Sequence, residues 1–354
     1  MAGNVLQSRT CHGIIHYILN FYKKRHLPQG KVIMEYLLLL IACSFFAVQL
    51  IFSKSFESRT VGGLTVCFWN QMICCLCGQI YLLVKSGLPT GLTLAICLFA
   101  AANAASGMLC GVCSLTAMGC GRVSTVTTFC LAGGMVVPFF YGIIALDEEN
   151  GLFKWLGLIV LCLSLLPSFL KKTEDKVESV NKLKFALNCT VVFLTNGMIS
   201  VIGKMCMNHV KLTETDPVAL AAAEDNFLKT SGLIQLIAAA AILLAFAFAG
   251  KLKGQPDSFK NTFWEIGTKK MTLGFFVLLI VLAAAYTVCN VTGNLFSLRC
   301  MSYMDASIQF PLLSATVIVL TAVLSRIFFK EKFTGDTVLS LLFSVVGIAL
   351  FMIH

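Results

Sequence analysis

Residues 271–298 read MTLGFFVLLIVLAAAYTVCNVTGNLFSL, a run of 28 residues without a charged side chain. About 20 apolar residues are enough for a helix to cross the hydrocarbon core of a bilayer. A strand of a membrane β-barrel would instead show about ten residues of alternating polarity, and this run does not alternate. The stretch therefore predicts a transmembrane helix.

The composition of the whole chain agrees with this prediction. Of its 354 residues, 58% are hydrophobic and 12% are charged, whereas soluble domains carry roughly 45–50% apolar and about 25% charged residues. This composition excludes a soluble enzyme, a secreted disulfide scaffold and a disordered tail protein. The net charge of +10 is interpreted as loop charge that faces headgroups or orients the chain, not as a nucleic-acid-binding surface.

We predict ten transmembrane helices, with spans near 33–54, 60–85, 91–118, 122–146, 151–170, 183–207, 217–250, 271–298, 300–327 and 334–353. The divisions at 119–122 and 299–300 depend on Gly119, Gly121, Arg122 and Arg299. Residues 1–32 are expected to form a tail that lies at the membrane interface, or to be untranslated because the chain starts at Met34. Residues 171–182 are predicted to be a charged linker.

The two halves of the chain, 33–170 and 183–354, are weakly similar at an offset of 183 residues. Ser114-Leu115 then aligns with Ser297-Leu298, and Glu148 aligns with Glu331. Five is an odd number of spans, so the second copy would enter the membrane from the opposite side. We therefore expect an all-α integral membrane fold of two inverted five-helix repeats, with a site at the repeat interface near the midplane.

Two motifs at helix ends resemble those of the drug/metabolite transporter superfamily, in its EamA-type ten-helix branch. They are LDEENG at 146–151 and FKEKFTG at 329–335, the second followed by GIAL at 347–350. The resemblance covers about 33–354. It implies a multi-pass transporter of the cell membrane with both termini cytoplasmic.

The distribution of basic residues contradicts that orientation. Apart from Lys229, which lies within a span, ten Lys and Arg residues lie on the N-terminal side of the predicted spans and sixteen lie on the other side. The positive-inside rule would place the sixteen in the cytoplasm.

The span 217–250 contains Glu224, Asp225 and Lys229. A charge within the bilayer usually faces a cavity or a partner. Asp225 and Lys229 are four residues apart, a spacing that allows them to pair on one helix face. The alternative is that these turns still lie among the headgroups.

Further polar residues complete the candidate substrate site. Tyr286, Asn290 and Asn294 form a stripe at spacings of four, which indicates either hydrogen bonding between helices or a wall facing the substrate. The other candidates are Asn103, which aligns with Tyr286 in the repeat, Trp69 and Asn70 with the adjoining Gln71, and Lys54 and Lys204 near the ends of their spans. The two lysines either snorkel to the interface or attract an anionic substrate.

No cofactor or metal is expected. The stretch 197–205 is one residue too long for a phosphate loop and has Met205 in place of Ser or Thr. The two CxxC spacings lie in apolar spans, where cysteine packs as a small apolar residue.

The sequence therefore predicts a secondary active transporter that moves a small polar metabolite by alternating access, with a proton as candidate coupling ion. The alternatives are a metabolite or nucleotide-sugar-type exchanger and a non-transporting membrane accessory protein. The expected partners are the substrate and membrane lipid, without nucleic acid. The spacing of Gly107 and Gly111 permits close helix packing in a monomer or in a homodimer.

Overall fold

The computed structural model describes residues 29–353 except 62, 90, 119–122, 150, 171–181, 214–215, 253–257 and 330–334. The predicted tail up to residue 28, the linker 171–181 and the division at 119–122 therefore lie outside the described residues. The described helices are α1 (Gln29–Glu57), α2 (Leu64–Ser86), α3 (Leu94–Met118), α4 (Val123–Ala145), α5 (Leu152–Leu170), α6 (Lys182–Thr213), α7 (Pro217–Leu252), α8 (Ser258–Phe263), α9 (Leu273–Met301), α10 (Ala306–Phe329) and α11 (Gly335–Met352).

The protein is a helical, multi-pass membrane protein. In the described part of the chain, eight helices are long and apolar enough to cross a bilayer, and α5 and α11 contribute shorter apolar segments, Leu152–Leu166 and Thr337–Met352. Large apolar side chains such as Val84, Leu94 and Ile144 point outward and are 73–84% exposed. Lipid is the solvent that such a surface requires.

The predicted division at 299–300 is displaced by a few residues. The helix α9 continues through Arg299 to Met301, and α10 begins at Ala306. Arg299 does not end the helix since its charge is met by Glu224, 3.1 Å away on α7. Lys204 stabilises the C-terminal end of α9. Its Nζ donates to the carbonyls of Met301 and Met304, each at 2.6 Å.

Local chemistry explains several other helix ends. Thr272 caps α9, its hydroxyl accepting a hydrogen bond from the backbone N–H of Phe275 at 3.2 Å. Gly87 follows α2 with a φ of 65°, a left-handed conformation that costs glycine little. The short helix α8 has no counterpart in the sequence prediction. It is held to α7 by the Ser258 hydroxyl, which donates to the carbonyl of Ala247 at 2.9 Å.

The helices of the two halves are interleaved. α1 packs against α9 and α10, α6 packs against α3 and α4, and three further contacts pair α2 with α7, α4 with α10 and α5 with α11. Glycines allow the closest approaches. A Cβ on Gly133 of α4 would collide with the backbone of Phe193 on α6, and one on Gly197 would collide with Val137. Small residues have this role between membrane helices generally.

Candidate functional site

A cavity of about 410 Å³ lies inside the bundle, lined by α1, α2, α3, α6, α7 and α9. This volume is within the range of about 300–1,000 Å³ that is typical of small-molecule sites. Its lining contains no Asp, Glu, Lys, Arg or His among the described residues. The polar part of the wall consists of amides, hydroxyls and thiols.

The predicted stripe on α9 lines this cavity along its whole length, since Tyr286, Asn290 and Asn294 all face it. Gln49 of α1 connects the stripe to a second helix. Its Nε2 donates to Tyr286 Oη at 3.2 Å, and its Oε1 accepts from Asn290 Nδ2 at 3.0 Å. The stripe therefore bonds α9 to α1 and also lines the cavity, and its role as a wall facing the substrate stays a prediction.

Asn103 of α3 also lines the cavity, and its Nδ2 contacts Ser231 Oγ on α7 at 2.9 Å. One turn further along α3, a Cβ on Gly107 would lie 3.2 Å from Gln235 Nε2. Gly111, four residues after Gly107, faces Cys67 Sγ on α2. Both glycines thus face other helices of the same bundle.

Four amide residues of the site were not among the candidates from sequence. They are Gln49, Gln79, Asn196 and Gln235, of which the last three line the cavity. Each is an amide within a predicted span, and that polarity was the available signal. Gln71 also lines the cavity, and its Nε2 donates to Gln235 Oε1 at 2.5 Å.

The charged candidates lie beyond the cavity lining and are paired between helices. Asp225 contacts Lys85 of α2 at 2.9 Å, and Glu224 contacts Arg299 of α9 at 3.1 Å. The predicted Asp225–Lys229 pair is therefore wrong. Lys229 Nζ instead donates to the carbonyl of Gly87 at 2.7 Å, because the carbonyl end of α2 carries partial negative charge.

Glu224, Asp225 and Lys229 are 2%, 8% and 4% exposed. They are enclosed by other helices of the bundle. Their depth relative to the headgroups stays a prediction.

The remaining candidates lie away from the cavity lining. Trp69 is 1% exposed and belongs to an aromatic cluster, stacked on Phe56 with ring centroids 6.2 Å apart and edge-on to Phe276 at 5.8 Å. Asn70, one residue on, accepts from Cys74 Sγ at 3.4 Å.

Lys54 and Lys204 do not form a matched pair of cations. Lys54 is exposed near the end of α1, whereas Lys204 is 5% exposed and bound to the two carbonyls at the α9–α10 turn. Neither lysine lines the cavity.

Two packed layers flank the cavity along the helix axes. On α2, the cavity residues from Gln71 to Leu82 lie between Trp69 and Lys85. On α9, those from Tyr286 to Asn294 lie between the buried Ala283 and Arg299. One end of the cavity is thus bordered by the aromatic cluster and the other by the ion pairs.

The loops at the aromatic end pair through their backbones. Val61 N–H donates to the carbonyl of Ile266 at 2.9 Å, and Thr268 N–H donates to that of Arg59 at 3.0 Å. These bonds join the α1–α2 connection to the α8–α9 connection.

The fold is similar to that of a solved crystal structure described only as "Crystal structure of protein". The TM-score is 0.59, with 10% sequence identity over 90% of this chain and 98% of that chain. At this identity the likeness shows the fold alone. No family model matches the chain, and no curated protein matches it.

Proposed function

We propose that the protein is a secondary active transporter that moves a small polar metabolite by alternating access. The observation that carries this proposal is the neutral, amide-rich cavity bordered by a packed layer at each end. A purely structural membrane protein has no need for a polar cavity of about 410 Å³, because unsatisfied polar groups within a bilayer are costly.

The proposed architecture is a pair of inverted five-helix repeats, α1–α5 and α6, α7, α9, α10 and α11. Exchanging each helix for its counterpart turns the α1–α9 contact into the α6–α3 contact, α4–α6 into α10–α1, and α3–α7 into α9–α2. The α2–α7, α4–α10 and α5–α11 contacts map onto themselves. This pattern supports the repeat, and such repeats place the substrate at their interface.

The resemblance of the two helix-end motifs to the EamA-type branch favours the same function. With ten spans, both termini would lie on one side of the membrane.

In this mechanism the two end layers open in turn. At one end, opening would separate α7 from α2 and α9 by breaking the Lys85–Asp225 and Glu224–Arg299 pairs. At the other end, it would break the backbone bonds between the loops of Val61 and Ile266. A bound substrate that contacts both halves would compensate for part of that cost.

The candidate coupling group is Glu224, the most enclosed carboxylate of the cluster, whose side chain is 3% exposed. A proton on Glu224 would remove the charge that holds Arg299 and thereby loosen α7 from α9. Exchange of one metabolite for another would require no such group.

Uptake into proteoliposomes tests the proposal. Compounds that stabilise the purified protein against heat are supplied as radiolabelled solutes, and we expect saturable uptake that unlabelled compound inhibits. Asn290→Leu should abolish uptake, because it removes part of the cavity wall. The matched control is Asn188→Leu, which replaces an exposed asparagine on α6 and should transport normally. Binding without flux would favour the non-transporting alternative.

A further inference from the structure

We infer that the cavity takes a net-neutral solute that carries several hydrogen-bond donors, as a polyol, a monosaccharide or a primary amide does. This inference rests on the proposed function and specifies its substrate class. It follows from two features of the cavity wall, its free amide oxygens and its lack of charge.

Three amides on three helices have oxygens without a donor from the described part of the protein. Gln79 Nε2 donates to the carbonyl of Lys229 at 2.9 Å, Asn196 Nδ2 to that of Cys130 at 2.7 Å, and Asn294 Nδ2 to that of Asn290 at 2.9 Å. A backbone carbonyl only accepts, so the orientation of each amide is fixed. The nitrogen of each amide is bonded to the protein, and its oxygen is free to accept a hydrogen bond.

These three oxygens have no donor among the described residues of the chain. They belong to Gln79 on α2, Asn196 on α6 and Asn294 on α9, all of which line the cavity. They are not fully enclosed by the protein, and their residues line the cavity. A bound molecule must therefore donate hydrogen bonds to satisfy them.

Two of the amides, those of Gln79 and Asn196, pack directly against glycines. A Cβ on Gly232 of α7 would lie 2.5 Å from Gln79 Nε2, and one on Gly134 of α4 would lie 2.8 Å from Asn196 Nδ2. An alanine at either position would force the amide to move. The sequence thus places the smallest residue opposite each of these two amides.

The charged side chains next to the cavity already have partners within the protein. Asp225 and Glu224 are already paired with Lys85 and Arg299, and Lys229 is held by the carbonyl of Gly87. No lining residue in the described chain offers a compensating charge. A cation or an anion in the cavity would be unpaired within the membrane, which is unfavourable.

The test is a thermal-shift titration of the purified protein with probes matched on one scaffold. The uncharged probes are glucose, myo-inositol and a set of further polyols, monosaccharides and primary amides. The charged probes are glucosamine, with a cationic amine, and glucose 6-phosphate. We expect stabilisation by members of the uncharged set and none by the two charged probes.

Substitutions of the amides test whether they bind the solute. Asn196→Leu and Gln79→Leu should each weaken binding of the stabilising probe by about fivefold, the effect of one neutral hydrogen bond. Asn188→Leu is the matched control, because Asn188 lies on the same helix as Asn196 and donates to the backbone carbonyl of Lys184 at 2.8 Å, but is exposed. Gly232→Ala should reproduce the Gln79→Leu effect with Gln79 still present.

The outcomes separate this inference from the proposed function. Stabilisation by glucosamine or glucose 6-phosphate, or by no uncharged compound, would overturn the inferred substrate class. Proteoliposome flux of a charged probe would do so while leaving the transporter proposal intact. Uncharged compounds that bind through Gln79 and Asn196 but do not cross the membrane would support the class and count against transport.

Discussion

Arg299→Met should destabilise the protein strongly, because it leaves the carboxylate of Glu224 without its partner. The two side chains are 3.1 Å apart, and that of Glu224 is 3% exposed whereas that of Arg299 is 41% exposed. Removing one partner of a buried pair costs about 3–5 kcal/mol. The partial exposure of Arg299 places the expected cost near the lower figure, about 3 kcal/mol.

Thermal unfolding in detergent measures this effect. At about 2 °C per kcal/mol for a large domain, Arg299→Met should lower Tm by about 6 °C. The double variant Arg299→Met/Glu224→Gln should recover most of that loss, since no charge is then left unpaired. Lys260→Met is the matched control, because the Lys260–Glu265 pair is 3.6 Å long with side chains 60% and 52% exposed.

An exposed pair contributes about 0–1 kcal/mol, so the control should shift Tm by less than about 2 °C. Equal shifts for Arg299→Met and Lys260→Met would refute the reasoning. So would a double variant that is less stable than Arg299→Met alone.

Two further substitutions test the packing between the halves by the same measurement. Glu148→Gln should cost about 1–2 kcal/mol, because the Glu148 carboxylate accepts from the N–H groups of Ala306 and Ser307 at 2.6 and 2.8 Å and so caps α10; a neutral effect would mean that the cap contributes nothing. Gly133→Ala should cost about 1–3 kcal/mol or more by overpacking α4 on α6. Gly111→Ala is its control, since a Cβ there would meet only Cys67 Sγ, 3.9 Å away, and equal costs at the two glycines would contradict the close crossing.

The helices were predictable from the sequence because lipid imposes long apolar runs. Most predicted spans agree with the helices to within a few residues, as with 334–353 and α11 (Gly335–Met352). Arg299 placed one predicted division a few residues early, because it lies in the last turn of α9 rather than after it. Its partner there, Glu224 on α7, was not predictable from spacing.

The candidate site was predictable where its residues repeat along one helix. Tyr286, Asn290 and Asn294 recur every four residues, so their common face was visible in the sequence. Gln79 and Asn196 do not belong to such a repeat of three, and only the packing of α2, α6, α7 and α9 brings them to one cavity.

The error over Asp225 has the same origin. Spacing within a helix suggests Lys229 as its partner, but the partner in the structure is Lys85, 140 residues away along the chain. Partners on other helices are fixed by tertiary packing, which residue spacing does not encode.

Two-sided labelling of the cavity tests the central claim of alternating access most directly. The sixteen cysteines are replaced and a single cysteine is introduced at Val291, an apolar residue that also lines the cavity. Vesicles of known orientation are then treated with a membrane-impermeant thiol reagent from one side or the other. Alternating access predicts modification from both sides, slowed in each case by a compound that binds the cavity. Modification from one side only, with and without that compound, would contradict it.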